Sequence, residues 1–227
     1  MVLGILEEYM FEHQLVDLPD PLVETLSYGR FYTSPDGARY PSVTTVMGVM
    51  DKTGLDEWKA RVGEEEAKRI SKAAADRGTA LHTVCENYLL NKEYRRGVMP
   101  TTLDLFGKIK HILDENIEIV YGVETPLTSD YLKVGGRVDA VVRWSGRNSI
   151  LDFKSANKPK RADWILSYFY QTAIYSVMME ERTGICCPQI VIVMASDSPA
   201  PGQVFIKKRD DYIDGAMDVI REYYNKR

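Results

Sequence analysis

A chain of 227 residues is long enough to bury one α/β core but not two, so a single domain with an extension is the expected organisation. Its 44% hydrophobic and 27% charged residues are ordinary for a soluble globular protein, and no run approaches the ~20 apolar residues that span a bilayer. A net charge of −4 gives no general attraction for phosphate, so any nucleic-acid contact has to come from a local basic cluster. Cys186 and Cys187 are adjacent and Cys85 is distant, which supplies neither a disulfide framework nor zinc-ligand spacing. Buried reduced thiols are expected. The first residues carry acids where a secretory or organellar leader carries bases, which points to a cytoplasmic location.

Residues 1–27 lack a clean hydrophobic period and contain Asp17, Pro19, Asp20 and Pro21, which predicts a short helix or arm. The turn Ser34-Pro35-Asp36-Gly37 between aromatic-rich flanks predicts a β-hairpin over 30–40. Ser42 or Thr44 then caps a short helix that carries Val43, Val46, Met47 and Met50. From 56 to about 90 the strong helix formers predict two helices, with Gly78 as the break, and a further helix is expected over 101–116. Strands follow over 118–124, 131–144 and 149–155, forming a three-strand meander. An amphipathic helix over 164–182, an apolar buried strand over 188–195, an edge strand over 203–207 and a closing helix over 210–224 complete the chain. The expected fold is α/β: a mixed central sheet flanked by helices. Residues 1–40 form an N-terminal arm and hairpin, and 41–227 a single domain with a helical part to 116 and a sheet core from 117.

The chemistry concentrates in two of the strands. In the run 136–142, alternation places Val138, Ala140 and Val142 on one face and Asp139 on the other. In the run 150–154, Leu151 and Phe153 face one side while Asp152 and Lys154 share the opposite one. If the strands pair, two carboxylates and an ammonium converge. Two close carboxylates repel unless a cation lies between them, and oxygen donors with open water positions suit magnesium, with manganese as a substitute. Such an ion acidifies water and stabilises charge on a phosphate, with the lysine polarising the attack, which is phosphodiester hydrolysis. A D-x-K string is common by chance and equally describes an exposed strand face. Here it follows an aspartate that ends an apolar run behind Gly135-Gly136, and a long helix comes next.

On that helix Gln171 and Tyr175 share a face, extended by Trp164 and Tyr168, which suits hydrogen bonding to phosphate and stacking of bases. The same stripe also describes aromatics packed into a core. His82 is read near the start of a helix, with Glu86 one turn later on the same face; it is a metal ligand or a structural histidine. Arg77 and the free N–H groups of that helix start are candidate phosphate contacts. Lys154, Lys158, Lys160 and Arg161 form the clearest basic cluster, and Lys59, Arg61, Lys68, Arg69, Lys72 and Arg77 a second, mixed with acids.

The order R-G-T-A-L-H (77–82), G-G-R-V-D (135–139), L-D-F-K-S (151–155) and Q-T-A-I-Y (171–175) resembles the RecB-like branch of the PD-(D/E)XK nucleases. Tyr40-Pro41-Ser42-Val43-Thr44-Thr45-Val46, Trp58 and the run 152–160 are similar more narrowly to the mitochondrial genome maintenance exonuclease and its phage-encoded relatives, from about Tyr40 to the closing helix. This resemblance implies a PD-(D/E)XK core under a helical cover. It implies that His82, Asp139, Asp152 and the Phe153 carbonyl bind the metal, and that Asp139, Asp152 and Lys154 are catalytic. Gln171 and Tyr175 would place substrate, with Arg77, Ser42, Thr44 and Lys158 as further substrate contacts. Glu86 and Glu124 would stand behind the ligands.

The expected activity is metal-dependent exonuclease action on free DNA ends, single-stranded by preference, in DNA processing, recombination or degradation. A structure-selective endonuclease and a non-catalytic DNA-end-binding subunit are the alternatives. The first motif reads Val-Asp in place of Pro-Asp. The absence of a cysteine quartet argues against an iron–sulfur cluster, and the absence of a Walker A loop argues against nucleotide use. The chain is read as a monomer, with no membrane association and with a replication or recombination protein as an unidentified partner.

Overall fold

The computed structural model describes residues 10–50 and 53–226. Residues 1–9 of the expected arm lie outside the described residues. In place of a helix, residues 10–27 hold two short strands, β1 (Glu12–His13) and β2 (Val23–Leu26). The strand β2 joins β3 (Gly29–Thr33) and β4 (Arg39–Pro41) in a small antiparallel sheet, so the expected hairpin gains a third strand. Ser42 is the cap of α1 (Val43–Met47), accepting from Thr45 N at 3.0 Å.

Two helices follow as expected, α2 (Thr53–Val62) and α3 (Glu64–Leu89), but the break between them is at Gly63. Gly63 has φ 87°, a region costly to residues with a Cβ, and the acids Glu64, Glu65 and Glu66 suit the positive end of α3. Gly78 lies inside α3, where it costs about 1 kcal/mol against alanine without ending the helix. His82 is therefore far from a helix start, and no free N–H groups are available there for a phosphate. Pro100 opens α4 (Pro100–Asn116), where its missing N–H costs nothing.

The second half builds the main sheet from β5 (Ile117–Ser129), β6 (Val134–Trp144), β7 (Arg147–Ala156), β8 (Gln189–Ser196) and β9 (Gln203–Lys208). Helix α5 (Leu166–Thr183) connects β7 to β8, and α6 (Ile213–Asn225) closes the chain. The six-stranded order is β1-β5-β6-β7-β8-β9, and β5-β6-β7 is the antiparallel meander. The parallel pairs are β7 with β8 and, at the edge, β1 with β5. Apolar residues cover both faces. One core joins Val141, Ile150, Ile192 and Met194 to α1, α5 and α6. The other joins Ala140, Val142, Leu151, Phe153 and Val193 to α3 and α4. No described helix is long and apolar enough to cross a membrane.

Gly135 and Gly136 explain how the small sheet and α5 approach β6. A Cβ on Gly135 would lie 2.4 Å from Tyr32 Cβ, and one on Gly136 would lie 2.6 Å from Tyr175 Oη. The paired glycines thus admit an aromatic ring each, Tyr32 from the hairpin and Tyr175 from α5, and both rings are buried. Gly135→Ala and Gly136→Ala are each expected to lower stability by about 1–3 kcal/mol through overpacking, measured by urea unfolding. Unchanged midpoints would show that both rings move aside freely.

Candidate metal and catalytic centre

The ladder between β6 and β7 ends at Ala140↔Leu151, although both strands continue. Extending that register sets Asp139 beside Asp152, at the point where the strands part. The Phe153 N–H, which has lost its partner on β6, donates instead to Asp139 Oδ2 at 2.8 Å. The expected alternation also shifts here. Val138 packs in one core while Ala140 and Val142 pack in the other, so the three do not share a face. Leu151 and Phe153 do share one, as expected.

Helix α3 lies over this split. A Cβ on Gly78 would sit 3.7 Å from Ser155 Oγ, and one turn on, the His82 ring meets Phe153 edge-on with centroids 6.2 Å apart. His82 Nδ1 is 3.4 Å from Asp139 Oδ2. From β5, the pairs Val123↔Ala140 and Thr125↔Val138 set Glu124 across from Asp139. Glu124 has φ 48°, a left-handed conformation rare for residues other than glycine, asparagine and aspartate, at the point where its carboxylate joins the cluster. One donor atom each from His82, Glu124 and Asp139 lie within 4.8 Å of one another. Lys154 Nζ is 2.5 Å from Asp152 Oδ2 and 4.9 Å from the centroid of the Tyr168 ring. Asp152 is 2% exposed, and apart from that ion pair its Oδ2 has no partner among the described residues.

Burial and mutual repulsion set the charges. Burial, reinforced by the Asp139 charge and opposed by Lys154, pushes Asp152 up to about 6. Burial, with the charge of Asp139 behind it, pushes Glu124 up to about 7. Burial works against the Asp139 carboxylate as well, but His82, Lys154 and the Phe153 N–H hold it below the usual range. The His82 ring is partly desolvated, yet Asp139 and Asp152 raise its pKa, and the same two acids keep the buried Lys154 ammonium charged. This is a set of oxygen and nitrogen donors with surplus negative charge in a largely buried cluster. It fits a hard divalent cation, which replaces protons as the neutralising charge.

The other sequence candidates separate. Gln171 is half-buried on α5, next to the buried Tyr175 hydroxyl, whose pKa burial raises. Glu86 is half-buried one turn beyond His82, on the side of Glu124. Arg77 pairs with Asp197 at 2.6 Å, which ties α3 to the segment after β8. Ser42 is buried and committed to its cap, while Thr44 and Lys158 are exposed. The second basic group is spread along α2 and α3 and mostly neutralised there, for example in Lys68–Glu64 and Arg69–Glu66. Cys85 and Cys187 are buried but Cys186 is exposed. Glu124 is the residue whose place the sequence underrated. Its signal was an acid near the end of an apolar strand, which only the register with β6 converts into a neighbour of Asp139.

The sequence profile of the PD-(D/E)XK nuclease superfamily matches residues 53–195, from α2 to β8. The chain belongs to the PD-(D/E)XK nuclease superfamily, whose members are divalent-metal-dependent nucleases. It is 27% identical over 177 residues to human mitochondrial genome maintenance exonuclease 1, covering 70% of this chain and 51% of that protein. The chain thus spans about half the length of this relative. A crystal structure of SSO0001 aligns with a TM-score of 0.44 and 12% identity, over 82% of this chain and 75% of that one.

The raised pKa values of Asp152 and Glu124 give a stability signature. Each binds its proton more tightly folded than unfolded, so each contributes stability that is complete near pH 4 and lost as pH rises through about 6 to 7. Without a cation, the protein is expected to be less stable at pH 7.5 than at pH 5.5. Magnesium should raise its melting temperature mainly at the higher pH. Asp152→Asn is expected to raise the cation-free melting temperature at pH 7.5 by about 2 °C or more and to shrink the magnesium effect, by scanning calorimetry. A cation-free melting temperature that rises from pH 5.5 to 7.5 would contradict this electrostatic picture.

Proposed function

We propose that the protein is a metal-dependent exonuclease that hydrolyses phosphodiester bonds from free DNA ends, preferring single strands. The observation that carries this reading is the convergence of the His82, Glu124 and Asp139 donors beside the Asp152–Lys154 pair, where β6 and β7 part. The name of the human relative, an exonuclease, supports action on ends.

His82, Asp139, Asp152 and the Phe153 carbonyl would hold the ion, magnesium with manganese as substitute, and Glu124 stands close enough to share in it. A divalent cation bound there supplies Lewis-acid stabilisation of the charge that builds on the attacked phosphate. Lys154, kept charged by its two aspartates, acts as a donor rather than a base. Its N–H groups orient the attacking water and stabilise the negative charge of the transition state. Asp152 fixes the ammonium from one side and the Tyr168 ring fixes it from another. Gln171, braced by Tyr175, would hydrogen-bond the DNA, and the exposed Thr44 and Lys158 would meet its phosphates, while Arg77, held in its pair with Asp197, would reach one only by exchanging that partner. Ser42 contributes indirectly, by shaping the turn that carries Thr44.

The test incubates the protein and magnesium with end-labelled linear single strands, linear duplex and closed circular DNA. Linear single strands should disappear fastest, circles should survive, and Asp152→Ala or added chelator should stop the reaction. Lys154→Met should lower kcat roughly 100-fold or more, the scale of a lost transition-state donor. Cutting of circles would replace the exonuclease with an endonuclease, and no cleavage of any substrate would refute the reading.

A further inference from the structure

Of the three tryptophans, Trp144 is buried in a core and Trp58 is half-buried, but Trp164 is 65% exposed. Burial of so large an apolar ring is normally favourable, yet the described residues leave most of this one open. Its exposure does not come from a loose segment. The turn between β7 and α5 is clamped to β9 by the Gln203 carboxamide, which donates to Lys160 O at 2.9 Å and accepts from Lys160 N at 2.8 Å. Trp164 N donates to Arg161 O at 3.1 Å, and the next residue, Ile165, is buried. The indole is held out on an anchored turn.

Its surroundings are cationic. Between β7 and α5 stand Lys158, Lys160 and Arg161 against the single acid Asp163, in a chain whose net charge is −4. Arg161 lies over the indole with its guanidinium carbon 5.8 Å from the ring centroid. The turn leads directly from Lys154 at one end to Tyr168 at the other, and that ring is 4.9 Å from Lys154 Nζ. An exposed indole, the exposed side chains of Lys158 and Lys160, and an Arg161 guanidinium bridged to Asp163 at 3.0 Å therefore stand on the short turn that joins the strand of Lys154 to the helix of Tyr168.

We propose that Trp164, with Lys158, Lys160 and Arg161, is a subsite that stacks an unpaired nucleobase beside the cleavage centre and so selects single-stranded over base-paired DNA. The inference rests on the nuclease reading for its choice of substrate. Within a duplex both faces of each internal base are already stacked, so an indole gains nothing there, whereas an unpaired base offers a free face. The cations hold the backbone on either side but do not discriminate, since phosphates are common to both substrates.

The test measures binding by the full chain in chelator, so that nothing is cut. The probes are a short labelled oligothymidylate and a dumbbell duplex closed by loops too small to stack on an indole. Wild-type tryptophan emission should be quenched by the oligothymidylate, and the quench should vanish in Trp164→Phe. Trp164→Ala should weaken oligothymidylate binding roughly 5- to 100-fold, the range of one base–aromatic stack, with Trp164→Phe intermediate and dumbbell binding unchanged. An unaltered melting temperature is expected, because the ring is exposed. Equal binding of the oligothymidylate by Trp164→Ala and wild type, or equal loss on both probes, would overturn the proposal. A protein that binds through Trp164 yet cuts no DNA would refute the nuclease reading and uphold the subsite. One that cuts while Trp164→Ala binds normally would do the reverse.

Discussion

The Asp139 carboxylate takes the backbone N–H that β7 loses when its ladder with β6 ends. That one hydrogen bond, to Phe153, lets two central strands separate without leaving a buried donor unpaired. The gap it stabilises is where the chemistry gathers. If β6 and β7 stayed paired past Ala140 and Leu151, Asp139 and Asp152 would be held against a closed sheet. Because they part, α3 lowers His82 toward the gap from above, and α5 supplies Tyr168 and Tyr175 from the following turn of chain.

Around the gap the fold is conservative. Both faces of the sheet are sealed by apolar clusters, so the cost of a largely buried group of acids falls on a well-supported scaffold. The acids are not mutually satisfied. Asp152 and Glu124 have raised pKa values, Asp139 depends on His82 and Lys154 for its charge, and one oxygen of Asp152 has the Lys154 ion pair alone among the described residues. Such an arrangement is unfavourable for a purely structural site and well suited to one that a divalent cation completes. The left-handed backbone at Glu124 belongs to the same pattern, strain held where the acids meet.

Much of this was legible in the residues. Alternation placed Asp152 and Lys154 together, and the meander, the crossover helix and the edge strand β9 follow from period and turn chemistry. The failures have physical causes. Gly78 suggested a break because glycine is a poor helix former, yet tertiary packing against β7 carries α3 through it, while Gly63, with its positive φ, ends α2. Val138 was placed with Ala140 and Val142 because period 2 assumes an unbroken strand, and the strand changes face where the ladder ends. The strands within the expected short helix or arm went unread because short edge strands such as β1 draw their stability from a partner distant in sequence.

What the sequence by itself determined was the inventory and its local order: two strands carrying Asp139, Asp152 and Lys154, a helix carrying His82, and a glycine pair ahead of the first motif. Periodicity and turn signals are local, and they survive without any knowledge of what packs on what. What only the tertiary structure decided was which of these groups meet. The splitting of β6 from β7, the register that sets Glu124 across from Asp139, and the clamp that holds Trp164 into solvent all depend on contacts between segments far apart in the chain. Such contacts are fixed by how the two cores close, and no local pattern encodes them.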